Sequence, residues 1–356
     1  MNRLDKLRAA MSAKDLSGFQ VSRPENWRYL SGFTGSNALL LITRDEALLL
    51  TDFRYVEQAK EQSPDFQIIR PQGMLEDGLI AEVQSRGLKT LGFEDDYLTC
   101  KTYQQYLGKL TDVELRPASG VVEKLRGVKD DNETELLRQA VHIADLAFDH
   151  ILDFIRPGVR ETDLALELEY FMRRKGAEKS AFDIIVASGH RSALPHGVAS
   201  DKLLQSGELV TMDFGAVYRG YHSDITRTVV LGKADKKQKK IYNLVLQAQL
   251  AAIDAVKPAV VAGTVDTVAR DLIAGHGYGA NFGHGLGHSV GLAIHETPGF
   301  STRDKTILEK GMVITVEPGI YLPGWGGVRI EDIVTVTATG CDVLTKAPKE
   351  LMEINF

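Results

Sequence analysis

Apolar and polar residues alternate along this chain with two different periods, and the order in which the periods follow one another divides it into parts. Residues 2–16 carry a helical pattern, and GFQVS then reads as a strand. ALLLITRDEALLLTD reads as a hairpin turning at Arg44–Glu46. RYVEQAKEQS is helical, FQIIRP a strand, GLIAEVQSRG helical, TLGFED a strand and TYQQYLGKL helical. This alternation predicts a small α/β domain over residues 1–118. The stretch LRPASGVVEKLRGVKDDNE mixes proline, glycine and both charges, which predicts a linker at 119–130.

From 131 to 356 the order changes and one plan occurs twice. ETELLRQAVHIADLAFDHILDFI has apolar residues at helical spacing, from Leu136 and Leu137 to Ile151 and Leu152. It stops at Arg156-Pro157-Gly158, and Thr162-Asp163 signals the N-cap of a second helix. Strands with two acids follow, Asp213 and Asp224. Residues 237–256 then repeat the long helix and stop at Lys257-Pro258. A second helix runs from Thr264 to Gly277, and strands with two more acids follow, Glu317 and Glu331. A duplicated unit with pseudo-twofold symmetry sets two carboxylate pairs facing each other. The expected class is α/β (α+β), with a smaller α/β domain before duplicated αα-ββ units.

Composition narrows the function classes. At 356 residues the chain exceeds one typical core. Its charged fraction of 25% and hydrophobic fraction of 44% are those of an ordinary globular protein. The net charge of −6 and the lack of a large basic block argue against nucleic acid as a partner. The lysine-rich run KADKKQKK leads into a helical pattern and reads as its solvated start. Two cysteines, Cys100 and Cys341, lie in different halves, so a reducing compartment and no disulfide framework are expected. The N-terminus lacks a signal-peptide core, and no apolar run is long enough to span a membrane. The expectation is a cytoplasmic protein.

The chemistry concentrates in the C-terminal part. Asp213, Asp224, Glu317 and Glu331 sit in or beside apolar runs with strand character: LVTMDFGAVY, YHSDITRTVVL, MVITVEPGIYL and VRIEDIVTV. A buried carboxylate without a partner is costly, and several converging cannot all ionise without cations. Pairing with Arg227 or Arg329 is the alternative for any one acid. Asp213 and Asp224 flank the turn Tyr218–Tyr221, and a hairpin there turns both to one face. Three of the nine histidines, His284, His288 and His295, fall within GHGLGHSVGLAIHE, where the glycines suit close backbone approach to a ligand or metal. The run is too glycine-rich for the helical HExxH metal motif. His196, in ALPHG, reads equally as a surface-loop residue or a site residue.

Together ALPHG, DFGAVYRGYHSDITRT, GHGLGHSVGLAIHE, EPGIY and GGVRIED, in this order, resemble the prolidase and aminopeptidase P branch of the pita-bread metallopeptidases. NWRYLSGFTGS and TDFRYVEQA carry the resemblance into the N-terminal domain. It implies that Asp213, Asp224, His288, Glu317 and Glu331 hold two divalent ions, with Asp224 and Glu331 shared by both. Asp213 completes one ion, and His288 with Glu317 the other. Four carboxylates and an imidazole are a hard set, suited to Mn²⁺, tolerant of Co²⁺ and less selective for Zn²⁺. The same resemblance makes Glu317 the general base and sets His196 and His295 against the substrate. His284, Tyr321 and Arg329 become substrate-side or supporting groups. It implies hydrolysis of the bond between an N-terminal residue and proline, in dipeptides or longer peptides, by a homodimer with no nucleic-acid or membrane partner. Gly299 stands where some dipeptide-cleaving relatives carry an arginine for the substrate carboxylate, which leaves substrate length open. A methionine-aminopeptidase-like peptidase and a metal-free binding module on the same fold are the rival readings. Creatinase-like amidino hydrolysis does not use this metal set.

Overall fold

A computed structural model describes residues 2–356. The chain forms two compact units, residues 1–126 and 127–356.

The first unit is a six-stranded sheet in the order Gln67–Ile69, Ala47–Thr51, Ala38–Thr43, Gly18–Val21, Thr90–Phe93, Glu114–Pro117. The expected hairpin forms, with Ile42 facing Ala47 across its turn. Leu39, Leu41, Leu48 and Leu50 of the hairpin join a core with Leu79, Ile80 and Val83 of the helix Leu75–Ser85. One helix, Pro24–Ser31, is too short for its periodicity to predict it. Its signals were local: proline at the first helical position and Gly32 beyond the end at φ 77°. The expected linker is also ordered. Residues Val121–Gly127 form a helix, and the unit extends to residue 126 instead of ending at 118. Pro117 and Gly120 bracket a turn between two elements, and the pattern VVEKLRG was helical all along.

The second unit carries the plan twice. Helices Asp131–Ile151 and Glu161–Arg174 share one core with strands Ile185–Ser188, Leu209–Phe214 and Ile225–Leu231. Helices Lys236–Ala255 and Ala262–Gly275 share a second with strands Val313–Val316 and Asp332–Val336. Both long helices start in the same way. Asp130 and Asp235 cap them, while Glu133 and Gln238 reach back to the cap N–H. The expected cap at Thr162-Asp163 is not the cap of the second helix, which is Arg160. The helix begins at Glu161, and Asp163 is its third residue, accepting the Arg160 N–H. The sheets run Glu353–Ile354, Ile225–Leu231, Leu209–Phe214, Ile185–Ser188 in the first half. In the second half the order is Glu296–Phe300, Gly287–Ser289, Val313–Val316, Asp332–Val336, Cys341–Val343. Cys100 and Cys341 are both free. Among the described residues no helix is long and apolar enough to cross a membrane.

Candidate metal centre

The first acid pair is set by one ladder. Leu209–Phe214 runs antiparallel to Ile225–Leu231 with Asp213 facing Thr226. The same register continues into Ala216–Tyr218 and Tyr221–His222, where Val217 faces His222. Asp224 therefore lies opposite Gly215, two residues from Thr226 and on the same face as Asp213. The ladder closes tightly there, since a β-carbon on Gly215 would stand 1.9 Å from the Ser223 carbonyl oxygen. Arg219 and Gly220 both have positive φ, the geometry of the two-residue turns that suit a twisted hairpin.

The second pair is set differently. Val316 faces Asp332 on one side, and Gly319 faces Arg329 on the other, in one unbroken register. Glu317 and Glu331 are thus opposite each other. Their backbones turn elsewhere, however. The Glu317 N–H donates to the Leu286 carbonyl at 2.8 Å, and the Glu331 N–H to the Thr226 carbonyl at 3.1 Å. The second bond ties the two halves of the unit together at the acids.

His288 enters from the neighbouring hairpin of Gly287–Ser289 with Glu296–Phe300. That ladder slips at His288 and Ser289, an irregularity of the kind that re-aims side chains beside active sites. The ring's Nδ1 lies 3.2 Å from the Ser289 carbonyl, and Nε2 lies 3.5 Å from Asp224 and 3.6 Å from Glu317. Donation from Nδ1 to that carbonyl leaves the Nε2 lone pair facing the acids.

The electrostatics call for cations. Arg329 donates to Asp213 at 2.5 Å and to the Thr226 hydroxyl at 2.9 Å. Thr226 in turn donates to Glu331 at 2.7 Å. The other oxygens, Asp213 Oδ1 and Glu331 Oε1, are buried with no hydrogen-bond partner. Burial first, and then Asp213 and Glu317, hold the Asp224 carboxyl well above the usual range. Burial and Asp224 do the same to Glu331, and burial lifts Glu317 to about 7. One guanidinium does not balance four carboxylates. Donor atoms of Asp224, His288 and Glu331 all lie within 4.8 Å of one another. Orphaned oxygens, raised carboxyls and converging donors fit divalent metal ions.

The cluster floors a cleft of about 450 Å³, lined also by His196, His284, His295 and Arg329. Nine of the ten residues singled out from the sequence therefore line one cleft. Tyr321 does not line that cleft. It is buried and lines a neighbouring hollow with His196 and His284, where its hydroxyl joins Arg329 and His284, each at 2.9 Å. Burial pushes that hydroxyl up to about 12. Burial lowers His284 to about 4, so it is neutral at pH 7. His295 is lowered too, by burial and then by His288 and His196. Its ring stands 4.4 Å from the His288 ring. The suspected arginine pairing holds only for Asp213. Arg227 pairs with Asp332 at 2.7 Å and donates to the main-chain oxygens of Thr226 and Glu331. Thr226 and Thr315 were missed in the sequence. Thr315 receives the His288 N–H at 3.0 Å, and both threonines lie two residues from an acid, on its face of the strand.

Comparison with known proteins agrees with this geometry. Residues 135–338 match the model of metallopeptidase family M24, and residues 3–128 match the creatinase/prolidase N-terminal domain. A Xaa-Pro dipeptidase of Pyrococcus furiosus is 43% identical over 351 residues, spanning 98% of this chain and 99% of its own. The solved Xaa-Pro dipeptidase from Bacillus anthracis superposes with a TM-score of 0.97 at 49% identity, covering 99% of both chains. An X-Pro aminopeptidase from Thermotoga maritima gives 0.91 at 39%, covering 99% of this chain and 100% of its own. Motif order, acid geometry and full-length similarity lead to one conclusion: the chain belongs to metallopeptidase family M24 and carries a creatinase/prolidase-type N-terminal domain.

Proposed function

We propose that this protein hydrolyses the peptide bond between an N-terminal residue and proline, using two divalent ions, Mn²⁺ before Co²⁺ or Zn²⁺. The observation that carries this reading is the cluster of four carboxylates and one imidazole with buried, unpartnered oxygens on a cleft floor. Asp213, Asp224, His288, Glu317 and Glu331 would hold the ions, with Asp224 and Glu331 as the acids that would serve both. Carboxylate-rich donors favour Mn²⁺ over softer choices. When bound, the ions supply Lewis acidity, which acidifies water and polarises a carbonyl.

The chain's own groups do the rest. Glu317, on the cleft beside the other acids, takes the proton of the attacking water as general base. His196 and His295 line the cleft and donate to the oxygen that gains charge as the carbonyl becomes tetrahedral. Neutral His284, through Tyr321, steadies Arg329, and Arg329 fixes Asp213. Selectivity for proline comes from positioning in this walled cleft, since activated water alone attacks any peptide carbonyl. A cytoplasmic homodimer acting on proline-containing peptides or dipeptides belongs to the same reading. The names of the relatives support the proline-containing substrates, and the free cysteines fit a reducing compartment.

The deciding assay compares Ala-Pro with Ala-Ala in Mn²⁺. Cleavage of Ala-Pro at least about tenfold faster is expected. Equal kcat/KM for the two would leave a metallopeptidase of another specificity. Ala-Pro-Ala, run beside them, separates a dipeptidase from an aminopeptidase.

A further inference from the structure

A buried ion pair outside the metal cluster holds Glu296, the residue that follows His295. Residues 290–295 form the loop closing the hairpin in which Ser289 faces Glu296. His295 is the last loop residue and precedes Glu296 directly. Glu296 Oε1 accepts the Ala293 N–H at 3.0 Å, and its carboxylate lies against Gly291. A β-carbon at 291 would come within 2.6 Å of that oxygen. From the other side the His222 N–H donates to the Gly291 carbonyl at 2.8 Å.

Glu296 Oε2 accepts from Lys129 Nζ at 3.0 Å, with side-chain exposures of only 5% and 1%. Lys129 does not move freely. Its N–H donates to the Gly311 carbonyl at 2.9 Å, and its neighbour Val128 bridges Met312. A lysine and a glutamate taken this far out of water recover little net stability from each other, because desolvation cancels the attraction. Such a pair does fix the geometry of what it joins. Here it joins the frame before helix Asp131–Ile151 to the residue next to His295.

We infer that Lys129 is a positioning residue for catalysis, acting through Glu296 to hold the His295 ring over the cleft. The inference rests on the reading above that His295 acts on the substrate. A misplacement of about 1 Å is enough to cost on the order of 100-fold in rate.

The test is a double-mutant cycle between Lys129→Met and His295→Ala in the full-length, Mn²⁺-loaded protein, with kcat on Ala-Pro, metal content and melting temperature measured. Lys129→Met should lower kcat on the order of 10–100-fold with metal content unchanged, and Lys129→Arg should recover part of it. In the His295→Ala background the same change should cost less than about twofold, because the residue it acts through is gone. An equal loss in both backgrounds overturns the inference, as does a lowered melting temperature with unchanged kcat. Full rate in His295→Ala alone overturns the catalytic reading of His295 and is visible before the cycle is closed. If Lys129→Met does not fold, Glu296→Gln carries the same cycle. It removes the charge while its side-chain oxygen still accepts the Ala293 N–H.

Discussion

The two halves of the C-terminal unit build the same frame and use it differently. In the first, Asp213 and Asp224 stand two residues apart along one face of a closed ladder. In the second, Glu317 and Glu331 face each other where the ladder has opened, and their N–H groups bond to Leu286 and Thr226. Short acids go with the closed hairpin, and the longer ones with the open one. The third strand differs more. Ile185 lines the cleft beside Asp213 in the first half, while His288 lines it beside Glu317 in the second. Duplication thus supplies charge in two matched pairs. Imidazole chemistry comes from segments outside the matched hairpins: the loop at His196 and the hairpin of His288 and His295.

That comparison breaks most sharply at the shared acids. Asp224→Asn and Glu331→Gln, one from each half, should each lose both ions and reduce hydrolysis on the order of 10³-fold or more. Asp213→Asn should lose one ion and keep the other, so metal counted per chain checks the division. Loss of both ions from Asp213→Asn would merge the halves into one indivisible site. Glu317→Gln comes next, with kcat down on the order of 10²–10³-fold and a KM for Ala-Pro within a few-fold of the parent. His196→Ala and His295→Ala should each cost on the order of 10²-fold in kcat at full metal content. Metal loss in either variant would make that histidine a ligand and the two halves more alike.

The smallest effect concerns the metal-free protein. Asp224, Glu317 and Glu331 have raised carboxyl pKa values, so the folded state holds protons that the unfolded chain has released. These three carboxyls make stability fall as pH rises from the ordinary carboxylate range, about 4.5, through the Glu317 value of about 7, and they outweigh the opposite contribution of the lowered His284 and His295 below pH 6.5. Melting of chelator-treated protein should therefore be several degrees lower at pH 8 than at pH 5.5, and Mn²⁺ should remove most of the gap. A melting temperature that rises over this range without metal would show that the acids are not crowded as described.

Much of this was legible from one-dimensional pattern. Helix periodicity, the repeated order of elements and four acids in apolar runs follow from local rules, because burial of a strand face imposes a period of two and burial of a helix face a period of 3.6. The N-terminal hairpin was legible for the same reason. Short elements were not: Pro24–Ser31 is only eight residues long, and Val121–Gly127 lies among turn residues that read as a linker. Sequence therefore determined which residues carry charge into the interior, and through its motifs which family they belong to. Tertiary structure alone decided how they meet. The stagger of Asp213 and Asp224 is a matter of register, and the opening at Glu317 and Glu331 depends on strands from other parts of the chain. Tyr321 lines a hollow beside the cleft, and Arg227 serves Asp332 in place of a cluster acid. Lys129 reaches Glu296 across 167 positions of sequence. Such contacts join positions that no local period links, so packing had to select them.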